Sequence, residues 1–390
     1  MSLRDLFLLD PEVVFLNHGS FGACPRPVFE EYQRWQRELE RQPVEFLGRR
    51  SEALLDEARA RLAAYLNAGA DDIVFVPNAT SGLNVVARSL PLKAGDEVLT
   101  TDLEYGALDR TWAHVCDRAG ARYVRALVPA PVSSSAAVVD AIWTRVTPQT
   151  KVLFLSHITS GTALTLPVAE LCSRARDAGI LSIIDGAHAP GQLPLDLTAT
   201  GADVYAGNCH KWLCAPKGSA FLYVRPEHQP FVEAMVISWG WVEGSEHYRP
   251  ERSFVSRNQW QGTRDLAAFL SVPAAIDFQN DHDWPSVRAT CHALAVEAQE
   301  RISALTGLPP IIAPSDEAES WFAQMVAVPL PPVDKRPFQR RLYDDYRIEI
   351  PLSQWDATTL IRVSIQGYNT RQDLDALLAA LEKILPESVA

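Results

Sequence analysis

Seven short apolar runs, rich in β-branched residues, constrain the fold of this chain more than any other feature. A polar segment with helical periodicity follows each of them. Several runs are apolar throughout, which is typical of strands buried on both faces of a parallel sheet. The pattern predicts an α/β fold with a mainly parallel central sheet, in which ligands bind at the carboxyl ends of the strands. The runs occupy residues 73–77, 97–102, 123–128, 151–156, 181–185, 203–207 and 219–224.

The pattern changes after about residue 280. A helical segment at 284–305 is followed by a proline-rich stretch, a strand containing RVSI and a last helix. This order predicts a second, smaller α+β domain. Because 390 residues are enough for a large core and a smaller one, we expect a large domain at 21–283 and a small domain composed of 1–20 and 284–390.

Composition and charge exclude several classes of function. The formal net charge of −12 argues against a nucleic-acid partner, because a phosphate-binding face needs a basic excess. The six cysteines show no CxxC spacing, which predicts neither a disulfide framework nor a metal site. No stretch reaches the roughly twenty apolar residues that span a bilayer, and Asp5, Asp10 and Glu12 interrupt the apolar N-terminus before a signal-peptide core can form. We therefore expect a cytoplasmic protein that contacts no membrane.

Two charged residues lie at or just after the ends of two successive predicted strands. Asp185 ends the strand LSIID, where a buried carboxylate requires a cation or a strong donor, and Lys211 follows the next strand, DVYAG. Pyridoxal 5'-phosphate (PLP) requires such a pair, because it needs an amine for its aldehyde and an acid that keeps its pyridine nitrogen protonated. Taken singly, Asp185 could instead be a helix cap or turn residue, and Lys211 a solvated lysine.

Seven motifs spread over nearly the whole chain agree in order and spacing with a known family. They are LNHGSFG (16–22), NATSGLN (78–84), SHITSGTALTLP (156–167), DGAHAPG (185–191), GNCHKWL (207–213), QGTRD (261–265) and RVSIQGYNT (362–370). On these motifs the sequence resembles the class V aminotransferase family of fold-type I PLP-dependent enzymes, which includes the cysteine desulfurases, and most resembles its isopenicillin N epimerase-like branch. The resemblance implies the fold-type I PLP-dependent transferase fold, with PLP as the cofactor.

The resemblance also implies a set of cofactor contacts. It implies that Lys211 holds PLP as an aldimine, that Asp185 contacts the pyridine nitrogen, and that His188 lies beside the phenolic oxygen of the ring. Alternatives stay open, since hydroxyls at the start of a helix can merely cap it and a histidine can be a satisfied core residue. The residues expected around the phosphate are Thr80, Ser81, Asn208 and His210.

Further positions are expected to contact the ring, the substrate or a second subunit. The resemblance implies that Tyr105 stacks on the ring and that Ser160 contacts the cofactor oxygen or the substrate. It also implies that Thr263 reaches the phosphate of a neighbouring subunit, and hence a homodimer. Arg362 is expected to bind the α-carboxylate of the substrate, because its planar fork suits bidentate capture. Tyr105 could instead be core, and Arg362 a salt-bridge partner. Residues expected to line the substrate pocket are Asn17, His18 and Gly19.

The reaction is less constrained than the cofactor. The stretch at 347–364 contains no cysteine, which argues against the persulfide chemistry of desulfurases. We expect epimerisation or racemisation at the α-carbon of an amino-acid-like substrate, with Tyr105 and His210 as candidates for a second base. The loop at 238–241, with His247 and Tyr248 nearby, is either a substrate loop or a dimer contact. Elimination by a C–S lyase, transamination, and a catalytically silent PLP-fold binding protein remain alternatives.

Overall fold

The computed structural model describes residues 2–241, 243–245 and 248–388. The N-terminal segment makes a short strand and a short helix, β1 (Val14–Phe15) and α1 (His18–Phe21). The next helices are α2 (Arg26–Arg41), α3 (Pro43–Glu45) and α4 (Ser51–Leu66), with a π-helical turn at Phe46–Arg50 between the last two.

The seven predicted apolar runs form the strands of one sheet, with helices between most of them. In chain order the elements are β2 (Ile73–Val76), α5 (Ala79–Ser89), β3 (Glu97–Thr101), α6 (Gly106–Ala119), β4 (Arg122–Ala126), α7 (Ser135–Trp143), β5 (Thr150–Ser156), α8 (Val168–Asp177), β6 (Leu181–Asp185), α9 (Leu197–Thr200), β7 (Val204–Asn208) and β8 (Ala220–Val224). The strand order across the sheet is β2-β8-β7-β6-β5-β3-β4. Strands β7, β6, β5, β3 and β4 pair in parallel, whereas β8 is antiparallel to both neighbours. The prediction of a mainly parallel sheet in an α/β fold is confirmed.

The ladder between β3 and β5 is incomplete at its carboxyl end. It runs from the Glu97–Thr150 pair to the Leu99–Leu153 pair and then stops. On its other side, β3 remains paired with β4 up to Thr101, and β5 remains paired with β6 up to Ser156. We call this unpaired region, residues 100–101 and 154–156, the β3–β5 split. It lies at the edge of the sheet where ligands of parallel sheets bind.

The chain then continues into helices and a second, three-stranded sheet. These elements are α10 (Ser253–Gln259), α11 (Ala267–Leu270), α12 (Val272–Asp281), α13 (Trp284–Thr306), β9 (Met325–Leu330), α14 (Lys335–Tyr346), β10 (Ile348–Glu349), β11 (Leu352–Trp355), β12 (Thr358–Ser364) and α15 (Arg371–Ser388). Strand β12 lies between β11 and β9 and is antiparallel to both. Short 3-10 turns occur at Leu3–Leu6, Ala70–Asp72, Pro226–Phe231, Pro250–Arg252 and Ala318–Trp321.

The N-terminal segment packs against the C-terminal part of the chain. Strand β1 pairs in parallel with β10, and Asn17 makes an isolated parallel bridge to Ser364 at the end of β12. One apolar core cluster includes residues from the central sheet, from α13 and from β9 and β12. None of the helices in the described residues is long and apolar enough to cross a membrane.

Candidate active site

A cleft with a volume of about 620 Å³ opens at the carboxyl ends of β3, β5, β6 and β7. Because these strands are parallel, residues far apart in sequence meet at this one edge. The sequence-predicted residues that line the cleft are Thr80, Ser81, Tyr105, Ser160, Asp185, His188, Asn208, His210 and Lys211. Sequence motifs separated by more than a hundred residues therefore meet in one site.

Asp185 supplies a buried carboxylate to the floor of this cleft. It is the last residue of β6, and its Oδ1 accepts a hydrogen bond from the N–H of Ala187 at 2.9 Å. Burial raises the pKa of Asp185 to about 6, against the opposing effects of that N–H and of Lys211. Among the described residues, no cationic nitrogen lies within 4 Å of its oxygens. The carboxylate is thus available to a cationic group of a ligand.

Lys211 supplies an amine to the same cleft. It follows β7, and its Nζ lies 3.1 Å from Nε2 of His188. Burial, together with the guanidinium of Arg362, lowers the pKa of Lys211 to about 7, and Asp185 opposes the shift. A substantial fraction of this amine is therefore neutral at neutral pH, which is the form that attacks a carbonyl carbon.

The ring of His188 is held in one tautomer. The indole Nε1 of Trp212, which can only donate, lies 3.2 Å from Nδ1 of His188. Burial also keeps the pKa of His188 well below its ordinary value, with Lys211 acting in the same direction, so the ring is neutral. The proton consequently resides on Nε2, which donates to a neutral Nζ of Lys211.

The first turn of α5 lines the cleft. Its N-cap is Asn78, whose Oδ1 accepts from the N–H of Ser81 at 2.8 Å, so the two predicted hydroxyl residues do not cap the helix. The side chain of Asn208 accepts from the N–H of Ala79 at 2.8 Å. Thr80 and Ser81 thus present hydroxyls at the positive end of a helix dipole, an arrangement that favours anions.

His210 lies at the cleft and is not a core residue. Its Nδ1 is 2.9 Å from the carbonyl oxygen of Ser219, to which it donates. Burial lowers the pKa of His210 to about 4, although that carbonyl opposes the shift. With Nδ1 carrying the proton, Nε2 is left as an acceptor.

Arg362 is buried beside the cleft and makes hydrogen bonds only to neutral oxygens. Its Nη1 donates to the carbonyl oxygen of Ser160 at 2.7 Å and to Oγ of Ser160 at 3.3 Å. Its Nη2 donates to Oγ of Ser20 at 3.0 Å and to Oδ1 of Asn17 at 3.3 Å. Burial lowers the pKa of Arg362 to about 10. The salt bridge considered from the sequence is absent among the described residues, since no carboxylate pairs with this guanidinium.

Asn17, His18 and Gly19, expected to line the substrate pocket, are not among the residues that line this cleft. His18 is fully buried behind Lys211, with Nε2 at 3.0 Å from the carbonyl oxygen of Lys211 and Nδ1 at 2.9 Å from the hydroxyl of Tyr368. Burial lowers the pKa of His18 to about 3. Asn17 reaches the site through Arg362 and through Ser20, whose hydroxyl donates to its Oδ1, and Gly19 is packed against Met325. These residues support the site from behind because β1 and α1 are inserted between Lys211 and β12.

Tyr105 and Thr263 lie in different surroundings. Tyr105 immediately precedes α6 and is 46% exposed, so its ring is a wall of the cleft and not part of the core. Thr263 is exposed, in the loop between α10 and α11, and does not line the cleft of its own chain.

The loop at 238–241 also lies away from the cleft. Trp239 is 67% exposed, and the ring of Trp241 packs under the guanidinium of Arg257 at 5.1 Å. The same guanidinium lies 6.0 Å from the ring of Tyr248. His247 lies outside the described residues.

Sequence reasoning missed Glu104. This buried residue precedes Tyr105, and its oxygens accept hydrogen bonds from Ser156 and Thr101. Burial raises the pKa of Glu104 to about 8, and these donors oppose the shift. The available signal was an acidic residue directly after an apolar strand, one position before a residue already assigned to the site.

The cysteines of the chain are buried or, in the case of Cys24, half-buried. All six cysteines are unpaired, and burial raises the pKa of each of their thiols. Cys209 and Cys214, which flank Lys211, are fully buried. Within the described residues, no group of three or more histidine, cysteine or acidic side chains is arranged to bind a metal ion.

The fold and the site together define a PLP-dependent enzyme of fold type I. A family model described as Aminotransferase class-V matches residues 24–377. The chain therefore belongs to the class V aminotransferase family, whose members depend on PLP. The resemblance drawn from the motifs is confirmed.

Individual relatives differ in reaction. The chain is 38% identical to the isopenicillin N epimerase of Amycolatopsis lactamdurans, over 98% of this chain and 97% of that protein. It is 29% identical to a putative L-cysteine desulfhydrase of Oryza sativa subsp. japonica, over 96% of this chain and 84% of that protein. A cysteine desulfurase structure from Escherichia coli superposes with a TM-score of 0.82 at 24% identity, over 99% of this chain and 98% of that one. The structural match confirms the fold.

Proposed function

We propose that PLP binds in the cleft between Lys211 and Asp185. Its aldehyde would be held by Nζ of Lys211, its ring nitrogen by the carboxylate of Asp185, and its phenolic oxygen by Nε2–H of His188. The ring would stack on Tyr105, and the phosphate would lie at the start of α5 with Thr80, Ser81, Asn208 and His210 around it. The residues present fit this cofactor, because a buried carboxylate without a cationic partner faces a cleft of sufficient volume.

We propose that Arg362 binds the α-carboxylate of an amino-acid substrate. The guanidinium is buried, is bound only by neutral oxygens, and has an Nε without a protein acceptor among the described residues. A carboxylate would replace weak neutral contacts with charge-assisted hydrogen bonds. Ser160, whose carbonyl oxygen and Oγ contact Nη1, would then border the substrate as well as orient the guanidinium.

The chemistry at the α-carbon would be divided between cofactor and protein. When bound, PLP withdraws electrons from the α-carbon and so makes its proton removable. Nζ of Lys211 would accept that proton, because its pKa is near neutrality. Asp185 would hold a proton on the ring nitrogen, and His188 would keep its own proton on Nε2.

Epimerisation is the reaction that we propose first. It is supported by the 38% identity to an isopenicillin N epimerase over nearly the full length of both chains. Epimerisation also requires a second acid–base group on the face opposite Lys211, and Tyr105 and His210 are the candidates that line the cleft. His210, whose Nε2 is an acceptor, would act as a base. The second candidate is a C–S lyase, favoured by the 29% identity to a putative L-cysteine desulfhydrase. Persulfide transfer is disfavoured, since the stretch at 347–364 contains no cysteine.

The deciding experiment loads the protein with PLP and incubates it with L- and D-amino acids and thioether amino acids in deuterated water. Deuterium at the α-carbon together with the opposite enantiomer would establish epimerisation. Release of a thiol with pyruvate and ammonia would establish a C–S lyase instead. Lys211→Ala is the control, and we expect it to lose the visible absorbance of the bound cofactor. A wild-type protein that remains colourless with PLP would reject the proposal.

We further propose a cytoplasmic homodimer in which Thr263 of each chain reaches the phosphate of the other. The exposed position of Thr263 and the exposed apolar side chains of Met235, Val236, Ile237 and Trp239 support an interface. Unpaired cysteines support a reducing compartment. We also propose the division into a large domain at 21–283 and a small one formed by 1–20 and 284–390.

Subunit complementation tests the shared site. Lys211→Ala and Thr263→Arg chains would each be inactive alone, but in a mixed dimer one of the two sites would combine an intact Lys211 with an intact Thr263. Recovered activity after mixing, with a dimer mass by light scattering, is the expected result. Active monomers would exclude the shared site.

A further inference from the structure

The carboxylate of Glu104 bridges the β3–β5 split. Its Oε2 accepts hydrogen bonds from the N–H of Ser156 at 2.9 Å and from Oγ of Ser156 at 2.6 Å, at the end of β5. Its Oε1 accepts from Oγ1 of Thr101 at 2.6 Å, at the end of β3. The side chain therefore joins two strand ends that the sheet ladder leaves unpaired.

This bridge touches three components of the cleft. Tyr105 is the next residue along the chain, so the bridge fixes the point from which its ring projects. Ser156 lines the cleft and is paired in register with Asp185. The following N–H, that of His157, donates to the carbonyl oxygen of Asp185 at 2.8 Å. The Glu104 carboxylate thus connects the segment that carries the Tyr105 wall to the strand that pairs with the Asp185 floor.

A bridge made by a buried carboxylate without a cationic partner costs folding free energy, so joining two strands is a poor reason for it by itself. Glu104 is buried, and among the described residues it has no cationic partner, so three hydrogen bonds offset the desolvation of its carboxylate only in part and its pKa is raised to about 8. At the other end of β3, Glu97 links the strand to Thr147 and Thr150 and is paired with Arg122. The same strand therefore carries a paired carboxylate away from the cleft and an unpaired one at it.

We propose that Glu104 is a positioning residue, whose bridge across the β3–β5 split sets the Tyr105 ring and Ser156 at a fixed spacing from Asp185. The cleft is then shaped for a planar ring before any ligand enters. This inference rests on the proposed binding of PLP between Tyr105 and Asp185. It adds a residue that touches neither the substrate nor the cofactor.

Three variants test whether the hydrogen-bonded bridge of Glu104 or the charge of its carboxylate is the property that matters. Glu104→Gln keeps an oxygen that accepts from Ser156 and gains an amide that donates to Oγ1 of Thr101, so the bridge survives without charge. Glu104→Ala removes the bridge. Glu97→Ala is the matched control, because it removes a buried carboxylate link of the same strand at the opposite edge of the sheet.

The measurements are the Kd for PLP by absorbance titration and the visible circular dichroism per bound cofactor. We expect Glu104→Ala to weaken PLP binding on the order of tenfold and to reduce the dichroism, because the ring is held less asymmetrically. We expect the Kd of Glu104→Gln for PLP to stay within about twofold of the wild-type value. Glu97→Ala should lower the unfolding temperature and leave the Kd unchanged.

Two results would overturn the inference. One is a Glu104→Ala protein with wild-type Kd and dichroism; the other is a Glu104→Gln protein as impaired as Glu104→Ala, which would make charge the relevant property. If Glu104→Ala does not fold, Thr101→Val cuts the other end of the bridge with little change of shape, and an unaltered Kd and dichroism there would equally reject it. Failure of the wild type to bind PLP would reject the proposed function itself, and this inference with it.

Discussion

The indole N–H of Trp212 lies 3.2 Å from Nδ1 of His188 and determines which nitrogen of that ring faces Lys211. With Nδ1 occupied, Nε2 carries the proton and presents it to Nζ at 3.1 Å. An ammonium at Nζ would place two donors against each other. The indole of Trp212 therefore favours the neutral, reactive form of the lysine amine by acting through His188.

Trp212→Phe should raise the pKa of Lys211, on the order of one unit. Without the indole donor, His188 can turn a lone pair at Nε2 toward Nζ and so stabilise the ammonium. The pH dependence of the rate at which PLP attaches to the cofactor-free protein measures this change. Trp284→Phe is the control, because the Trp284 indole donates to Gly191 at 2.9 Å and does not contact His188. An equal shift in both variants would contradict the proposed tautomer effect.

Lys211 should make the cofactor-free protein less stable at neutral pH than at high pH. Its pKa is about 7 in the folded protein and about 10.4 in an unfolded chain. Between these values the unfolded chain binds more protons, so stability rises with pH across that window. Lys211→Met should therefore be more stable than the wild type near pH 7, with a difference that shrinks toward pH 10. Denaturant unfolding at several pH values tests this, with Lys151→Met at an exposed lysine as the control.

Arg362→Lys should weaken substrate binding even though the positive charge is kept. A lysine cannot reproduce the fork that holds Ser160 and Ser20 and would bind a carboxylate with two parallel donors. Losing such a buried charged contact costs about 2–5 kcal/mol, so the KM should rise by about 30-fold or more. Comparing the Kd for an amino acid with the Kd for the corresponding amine measures how much the carboxylate contributes to binding. If the wild type bound both equally well, Arg362 would not be the carboxylate site.

Gly22→Ala should damage the site far more than Gly95→Ala. Both glycines have positive φ, +71° and +89°, so an alanine at either costs about 1–2 kcal/mol of backbone strain. A Cβ at Gly22 would also lie 2.1 Å from the carbonyl oxygen of His210 and 2.9 Å from Cα of Lys211, whereas one at Gly95 would meet nothing within 4 Å. We expect both variants to unfold at lower temperature, and only Gly22→Ala to lose PLP attachment. Normal attachment in Gly22→Ala would show that the Lys211 segment can move.

Local sequence patterns were sufficient to predict the large sheet and its cleft. Apart from β4, whose Arg122 and Arg125 are exposed, the strands at 73–224 are buried on both faces, so their apolar runs mark them, and parallel pairing brings Asp185 and Lys211 to one edge. Arg362 was recognisable because a guanidinium inside an apolar strand needs a partner. The roles of these residues came from the motif resemblance, since spacing does not identify a ligand.

The support behind the site could not be predicted in the same way. His18 was assigned to the pocket, yet its ring is used by Tyr368 and by the backbone of Lys211. Those contacts join residues 350 and 193 positions apart, and no local periodicity encodes such a pairing. Glu104 was missed for a related reason, because its purpose depends on where the β3–β5 ladder stops.

The N-terminal segment contacts the C-terminal part of the chain, through the β1–β10 pair and through Asn17, and this affects the order in which the protein can assemble. All seven strands of the large sheet lie within residues 73–224, so this sheet and the Lys211 segment can form as soon as that part of the chain has left the ribosome. The guanidinium of Arg362 and its contact with Asn17 require residues 17 and 362 together, and closing so long a loop is slow. Nascent chains would acquire the lysine side of the cleft first and the arginine side only when synthesis is almost complete.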